Sequence, residues 1–187
     1  MTHALVIGGT GMLRGATLRL TQSYDRVSVL ARSRSRIEQL AARGERGDGV
    51  IHPLVVDYTQ ESLLHDAIAE ALNDHGPIEL VVSWIHSSAP DAHKIIANQV
   101  GSKLKQTGER CRWFDVLGSA MADPSSEKKN RIEEFLYWEK IDYRAVILGF
   151  VVEANSSRWL SHSEISAGVI KAIREDLEMS IVGQVHP

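Results

Sequence analysis

Apolar and polar positions along this chain fall into two rhythms that alternate from end to end. Short runs with few polar residues recur at Ala4–Ile7, Arg26–Ala31, Ile51–Val56, Leu80–Ile85, Arg112–Leu117, Tyr143–Leu148 and Ser180–Val185. Runs such as LVVSWI (80–85) lack polar alternation, which is the pattern of central strands covered on both faces. Between them lie helix-like stretches at Gly11–Gln22, Arg34–Arg43, Gln60–Asn73, Asp91–Thr107, Ser125–Lys140 and His162–Leu177. In the third of these, Leu63, Leu64, Ile68 and Leu72 recur at helical spacing and read as core. Glycine and proline mark the joints: Gly44, Gly47 and Gly49 before the third strand, Gly76–Pro77 before the fourth, Pro124 at a helix start. This alternation predicts an α/β fold: a doubly wound, mainly parallel sheet of six to seven strands flanked by helices, with the first strand central. A single domain over residues 1–187 is expected.

Composition narrows the function. The content is 43% hydrophobic and 24% charged, as in an ordinary globular domain, and the net charge of −3 leaves no broad basic face for nucleic acid. Cys111 is the only cysteine, so no intrachain disulfide is possible, and it reads as a buried apolar thiol. A strand-like run begins within four residues of Met1, which leaves no room for a signal sequence, and no apolar run approaches the roughly 20 residues of a membrane span. A soluble cytoplasmic protein is expected, and no metal site is read from the sequence.

A doubly wound sheet binds ligands at the carboxyl ends of its strands. Gly8, Gly9, Thr10 and Gly11, followed by Met12 and Leu13, stand between the first strand and the first helix, where backbone N–H groups can approach a pyrophosphate. The dinucleotide spacing G-x-G-x-x-G is not quite met: read from Gly9, its third glycine falls on Arg14, and the glycine arrives at Gly15. Gly15 is expected to allow close helix-to-sheet packing. Arg14 is either a phosphate ligand or a solvated arginine. The second strand ends VLARSRSR, with Arg32 and Ser33 where an NAD site would place an acid, so NADP is favoured over NAD. Arg34 and Arg36 continue into a helix and read as surface. After the third strand, Asp57, beside Tyr58, either accepts from the adenine amino group or caps the next helix. The fourth strand runs into SWIHSSAP, which sets Trp84, Ile85, His86 and Ser87 against the ribose and nicotinamide half of a cofactor; His86 is equally readable as a structural donor.

These features resemble the short-chain dehydrogenase/reductase superfamily in its atypical or extended branch. The match rests on the turn Gly8–Gly11, Arg32 after the second strand, Asp57 after the third, FDVLGSA (114–120) with Ser119 after the fifth, and WLSHSEISAGVIKAI (159–173) near the end. The resemblance implies a nicotinamide-dependent oxidoreductase, with the family's serine carried over to Ser119. The family's Tyr-x-x-x-Lys pair is missing: Tyr24, Tyr58, Tyr137 and Tyr143 have no lysine four residues later. Tyr137 and Lys140 come nearest, but they precede the sixth strand and should lie at the edge opposite the cofactor. Lys128 and Lys129 stand at the correct edge and are either site residues or solvated. Without that tyrosine, the proton donor falls to His86, Ser119 or water. Only 13 residues separate Gly149 from Ser163, so the substrate pocket is expected to be small, open, or completed by another subunit, as in a homodimer. Two functions follow: an NADP-dependent oxidoreductase acting on a small carbonyl or conjugated substrate, or a non-catalytic NADP-binding redox sensor.

Overall fold

The computed structural model describes residues 1–44, 49–119, 135–153 and 156–185. Nine strands lie among them: β1 (His3–Ile7), β2 (Arg26–Ala31), β3 (Val50–Val55), β4 (Leu80–Ser83), β5 (Cys111–Gly118), β6 (Ile141–Leu148), β7 (Phe150–Glu153), β8 (Ser156–Trp159) and β9 (Met179–Val182). The helices described are α1 (Arg14–Leu20), α2 (Arg34–Gly44), α3 (Glu61–His75), α4 (Ala92–Thr107) and α5 (His162–Glu175). Seven strands form one sheet in the order β3-β2-β1-β4-β5-β6-β9, and every pairing in it is parallel. The order reverses between β1 and β4, so the carboxyl ends of these two strands flank the crevice where such sheets bind ligands.

Strand alternation divides the core in two. In β1, Leu5 and Ile7 join one apolar cluster, with α3 and α4, while Ala4 and Val6 join the other, with α1, α2 and α5. The same alternation sends Cys111 and Trp113 of β5 to the first face and Phe114 and Val116 to the second. Both faces are thus covered, which explains the unbroken apolar runs. Cys111 is fully buried, and burial pushes its thiol far above the ordinary range, so it is packing rather than chemistry.

Several expectations are corrected. In α3 the buried set is Leu64, Ala67, Ile68, Ala71 and Leu72; Leu63 is 50% exposed, because it lies about 100° around the helix from Leu64. β4 ends at Ser83, two residues short of Ile85, and α1 begins at Arg14 rather than Gly11. Most of the expected helix Ser125–Lys140 lies outside the described residues; Phe135 is helical, and turns at Leu136–Tyr137 and Glu139–Lys140 lead into β6. The short link after Gly149 holds an unexpected antiparallel hairpin, β7–β8, joined to the main sheet by reciprocal backbone bonds between Phe150 and Gln184 (2.9 and 2.8 Å).

At the amino edge of the sheet, away from the crevice, three imidazoles crowd together. His3 and His52 each meet His75 edge-on, with ring centroids 5.6 and 4.4 Å apart, and His3 bonds to Ser28 Oγ (2.8 Å) and Gly76 O (3.1 Å). Burial pushes the His3 pKa down to about 4, opposed by the bond to Gly76 O and aided by the nearby His75, His52 and Arg26 charges. The unfolded chain takes up this proton near 6.5 and the folded chain only near 4, so the contribution is present above pH 6.5 and is lost as the pH falls through that window. We expect urea titrations to show up to about 3 kcal/mol less stability at pH 4 than at pH 7 from this group. A His3→Gln variant should show a flatter dependence; identical slopes would contradict the assignment.

Candidate functional site

The glycine turn is built residue by residue. Gly8 has φ +78°, a backbone that L side chains rarely adopt, and its N–H donates to Leu30 O (2.9 Å), which ties the turn to the end of β2. Gly9 is required by packing: a Cβ there would meet Thr17 Oγ1 at 2.8 Å and Val6 Cγ1 at 3.0 Å. The Thr17 hydroxyl donates to Gly9 O (3.2 Å) and Leu13 O (3.0 Å) and holds the turn against α1. Gly11 differs. Its φ is not in the left-handed region, and a Cβ would meet nothing nearer than Gly8 O at 3.9 Å, so neither backbone nor packing within the described chain asks for glycine. The N–H groups of Gly9, Thr10, Met12 and Leu13 make no hydrogen bond among the described residues. A cradle of open N–H groups beside a vacant Cβ position fits a phosphate-bearing ligand.

Gly15 does not pack against the sheet as expected. A Cβ there would stand 3.0 Å from Ser166 of α5, and the Ser166 hydroxyl donates to Met12 O (2.9 Å). Gly15 therefore lets α5 sit directly on the turn. The amino end of α5 is fixed by a capping box: Glu164 N–H donates to Ser161 Oγ, and Ser161 N–H donates to Glu164 Oε2. Arg158 of β8 grips the same carboxylate with two bonds (2.9 and 3.0 Å), and this arginine, then Ser161, holds the Glu164 pKa down to about 2. The hairpin and α5 are thereby locked together over the crevice.

Two cavities open there. One, of about 320 Å³, is lined by Thr10, Gly11, Arg14, Arg36, Arg43 and His162 among others. Its three arginines make no ion pair among the described residues. The other, of about 480 Å³, is lined by Met12, Trp84, Ser119, Leu148, Trp159 and His162 among others, and its wall is mainly apolar. His162, the first residue of α5, belongs to both. Sequence reading passed over His162 and Trp159; their place depends on Gly15–Ser166 packing across about 150 residues of chain, and no local signal carries it.

The other candidates distribute around this cleft. Leu13 is fully buried and serves the core. Arg32 is 79% exposed and faces Asp57 at 3.9 Å, a weak surface pair. Asp57 accepts from Thr59 N (3.0 Å) and Thr59 Oγ1 (2.8 Å), which with Arg32 lowers its pKa. It thus organises the turn before α3 rather than capping the helix, whose N-cap is Gln60. Ser33 accepts weakly from Arg36 N–H (3.4 Å) at the start of α2. His86 is exposed, set edge-on to Trp84 (5.3 Å), and its N–H reaches Tyr58 OH at 3.4 Å. Ile85 turns to the core beside α3 and α4. The structure therefore brings Ser119 and Trp84 into one cavity and leaves His86 off its wall. Lys128 and Lys129 lie outside the described residues. Tyr137 is 78% exposed, and Lys140 O accepts from Cys111 N–H at the start of β5, which sets both at the edge opposite the cleft.

Solved structures share this architecture. The chain superposes on NAD+-bound xylitol dehydrogenase with a TM-score of 0.76 at 14% identity, covering 96% of each chain. It matches a short-chain dehydrogenase from Sphingobium yanoikuyae in complex with NADPH with a TM-score of 0.76 at 14% identity, covering 97% of this chain and 87% of that one. A short-chain type dehydrogenase/reductase from Mycobacterium marinum matches at 0.76 and 14%, over 97% and 93%. The likeness shows the fold, a doubly wound Rossmann-type α/β sheet that the chain shares with these structures. No family model and no curated protein sequence matches the chain.

Beneath the cleft, on the α4 face, lies a buried polar network. Ser83 Oγ donates to Asp115 Oδ1 (2.7 Å), Trp113 Nε1 donates to Ser83 Oγ (2.8 Å), and Tyr143 OH donates to Asp115 Oδ2 (3.1 Å). His93 Nε2, from the first turn of α4, lies 3.1 Å from the same carboxylate, and both side chains are almost wholly buried. Asp115 therefore joins the end of β4, the start of α4 and the amino-terminal half of β6. Removing one partner of a buried pair leaves the rest uncompensated, at a cost of about 3–5 kcal/mol. Asp115→Leu is expected to lose that much by chemical denaturation, and a loss under about 1 kcal/mol would show that the network does not support the fold.

Proposed function

We propose that this protein is an NADP-dependent oxidoreductase of the short-chain dehydrogenase/reductase type, acting on a small carbonyl or conjugated substrate. The observation that carries the reading is Gly11. Glycine stands there with an unstrained backbone and open space where a side chain would be, between a cavity lined by arginines that are unpaired among the described residues and one lined by Trp84 and Ser119. The NAD-bound and NADPH-bound neighbours support the cofactor class.

In this reading the N–H groups of the turn receive the pyrophosphate, and Arg14 and Arg32, joined by Arg36, receive the 2′-phosphate. Asp57 and Tyr58 border the adenine end. Met12 and Trp84 flank the nicotinamide, and the Ser119 hydroxyl faces the substrate oxygen. A bound reduced nicotinamide dinucleotide supplies a hydride. The chain supplies orientation, an apolar wall that limits water, and hydrogen bonds. The cations are placed consistently: Arg14 opens α1, Arg34 and Arg36 lie in the first turn of α2, and His162 opens α5. Helix amino ends disfavour cations, and a bound phosphate offsets that repulsion. The protein works in this reading as a single cytoplasmic domain, with a second copy as the simplest means of closing the open pocket.

A second reading, a non-catalytic NADP-binding redox sensor, is favoured by the position of Tyr137 and Lys140 at the far edge of the sheet. NADPH binding without turnover across a carbonyl panel would select it.

Calorimetric titration tests the cofactor directly. NADPH is expected to bind about tenfold or more tightly than NADH, and Arg14→Ala or Arg32→Ala to remove much of that difference. Gly11→Ala should weaken dinucleotide binding about tenfold or more with an unchanged melting temperature, since only ligand space is filled. Gly9→Ala should instead cost about 1–3 kcal/mol of stability through overpacking. The reverse pattern, with Gly11→Ala destabilising and binding untouched, would contradict the cradle.

A further inference from the structure

We propose that His162 is the proton donor of this site, an assignment that rests on the reading of the cleft as a nicotinamide site. Three observations converge on it. His162 lines both the arginine-lined cavity and the apolar one, so a dinucleotide extended across the cleft passes it. Among the described residues lining the apolar cavity, it is the one side chain that ordinarily changes charge between pH 5 and 8; the others are apolar, glycine or the Ser119 hydroxyl. The backbone that carries it is held in place, because Ser161 and Glu164 cap α5 on either side of it, Arg158 clamps Glu164, and Ser166 bonds to Met12 O, while the ring itself is exposed at the cleft. Tyr137 stands at the other edge of the sheet, and His86 is off the cavity wall.

The step balances. The carbonyl carbon gains a hydride from the reduced dinucleotide and is reduced, the dinucleotide is oxidised, and the carbonyl π pair takes a proton from the His162 imidazolium. One ring N–H bond breaks and one O–H bond forms. Ser119, on the same cavity wall, donates a hydrogen bond to that oxygen and orients it. Among the described residues, the charged groups around His162 are Arg14 of α1 and Arg36 and Arg43 of α2 on the wall of the polar cavity, and on its own helix Glu164, whose charge Arg158 of β8 holds. A phosphate held in the cavity that His162 shares with those arginines would favour the protonated ring, so cofactor binding itself would prepare the donor.

Two readouts test this. In NMR spectra of the full chain, the His162 ring signal, identified by its loss in His162→Gln, is expected to shift on addition of NADP+ and to titrate at higher pH than in the free protein. In an NADPH-oxidation assay over a carbonyl panel, wild-type kcat should fall as pH rises through that titration. At saturating NADPH, His162→Gln should lose that limb and about 10²-fold in kcat, while Tyr137→Phe keeps turnover. A His162 signal unmoved by saturating NADP+, or a His162→Gln variant with full turnover, overturns the assignment and leaves the oxidoreductase reading standing. NADPH binding with no turnover by the wild type on any carbonyl overturns it in favour of the sensor. Absence of dinucleotide binding overturns both.

Discussion

The cleft depends on one contact made across most of the chain: α5 resting on the end of the glycine turn through Gly15 and Ser166. A methyl group at Gly15 would stand 3.0 Å from the serine side chain, so the two helices approach closely only because no side chain intervenes, and the serine uses that proximity to bond to Met12 O. This places His162 beside Gly11, and through the Arg158–Glu164 clamp it brings the β7–β8 hairpin, with Trp159, over the carboxyl ends of β4, β5 and β6. Without it the turn would face open solvent. With it, the turn becomes the floor of a divided cleft, polar on the α2 side and apolar beyond His162.

Charge and packing act on that cleft in opposite ways. The polar cavity gathers Arg14, Arg36 and Arg43 with no acid on its wall among the described residues, an arrangement that costs the empty protein self-repulsion and becomes favourable when an anion enters. The apolar cavity gathers Met12, Trp84, Leu148 and Trp159, whose contribution is shape and the exclusion of water. The buried Asp115 network lies under the same edge of the sheet and fixes Ser83 at the end of β4, one residue before Trp84. It is thereby a structural support for the apolar wall.

The sheet was legible in the sequence because its signals are local. Alternating apolar runs and glycine joints gave the strand order's raw material, and parallel crossover geometry left one main arrangement. Leu63 shows the limit of that method: helical spacing admits two adjacent leucines to an apolar stripe, and only packing decides which faces inward. Gly11 and Arg14 were identifiable because they follow a strand and precede a helix. The role of Gly15 was misread, as helix-to-sheet rather than helix-to-helix packing, because its partner lies about 150 residues away. For the same reason the places of His162 and Trp159 in the cleft were not legible, although both lie in the quoted segment 159–173, and the hairpin escaped notice in a link read only for its length. Asp57 was weighed as ligand or helix cap, and the turn it organises with Thr59 is a third, local use of the same carboxylate.

The central claim is that one dinucleotide lies along the whole cleft, from the arginine-lined cavity past His162 to Trp84 and Ser119. Amide hydrogen exchange with and without saturating NADPH measures this most directly, since a bound ligand slows exchange where it covers or rigidifies backbone. The account predicts slowed exchange in residues 8–14, 84–86 and 158–163 together, with the groove between α3 and α4 around His65 and Gln99 unchanged. Protection confined to that groove, or none along the cleft at a concentration that saturates binding, would contradict it.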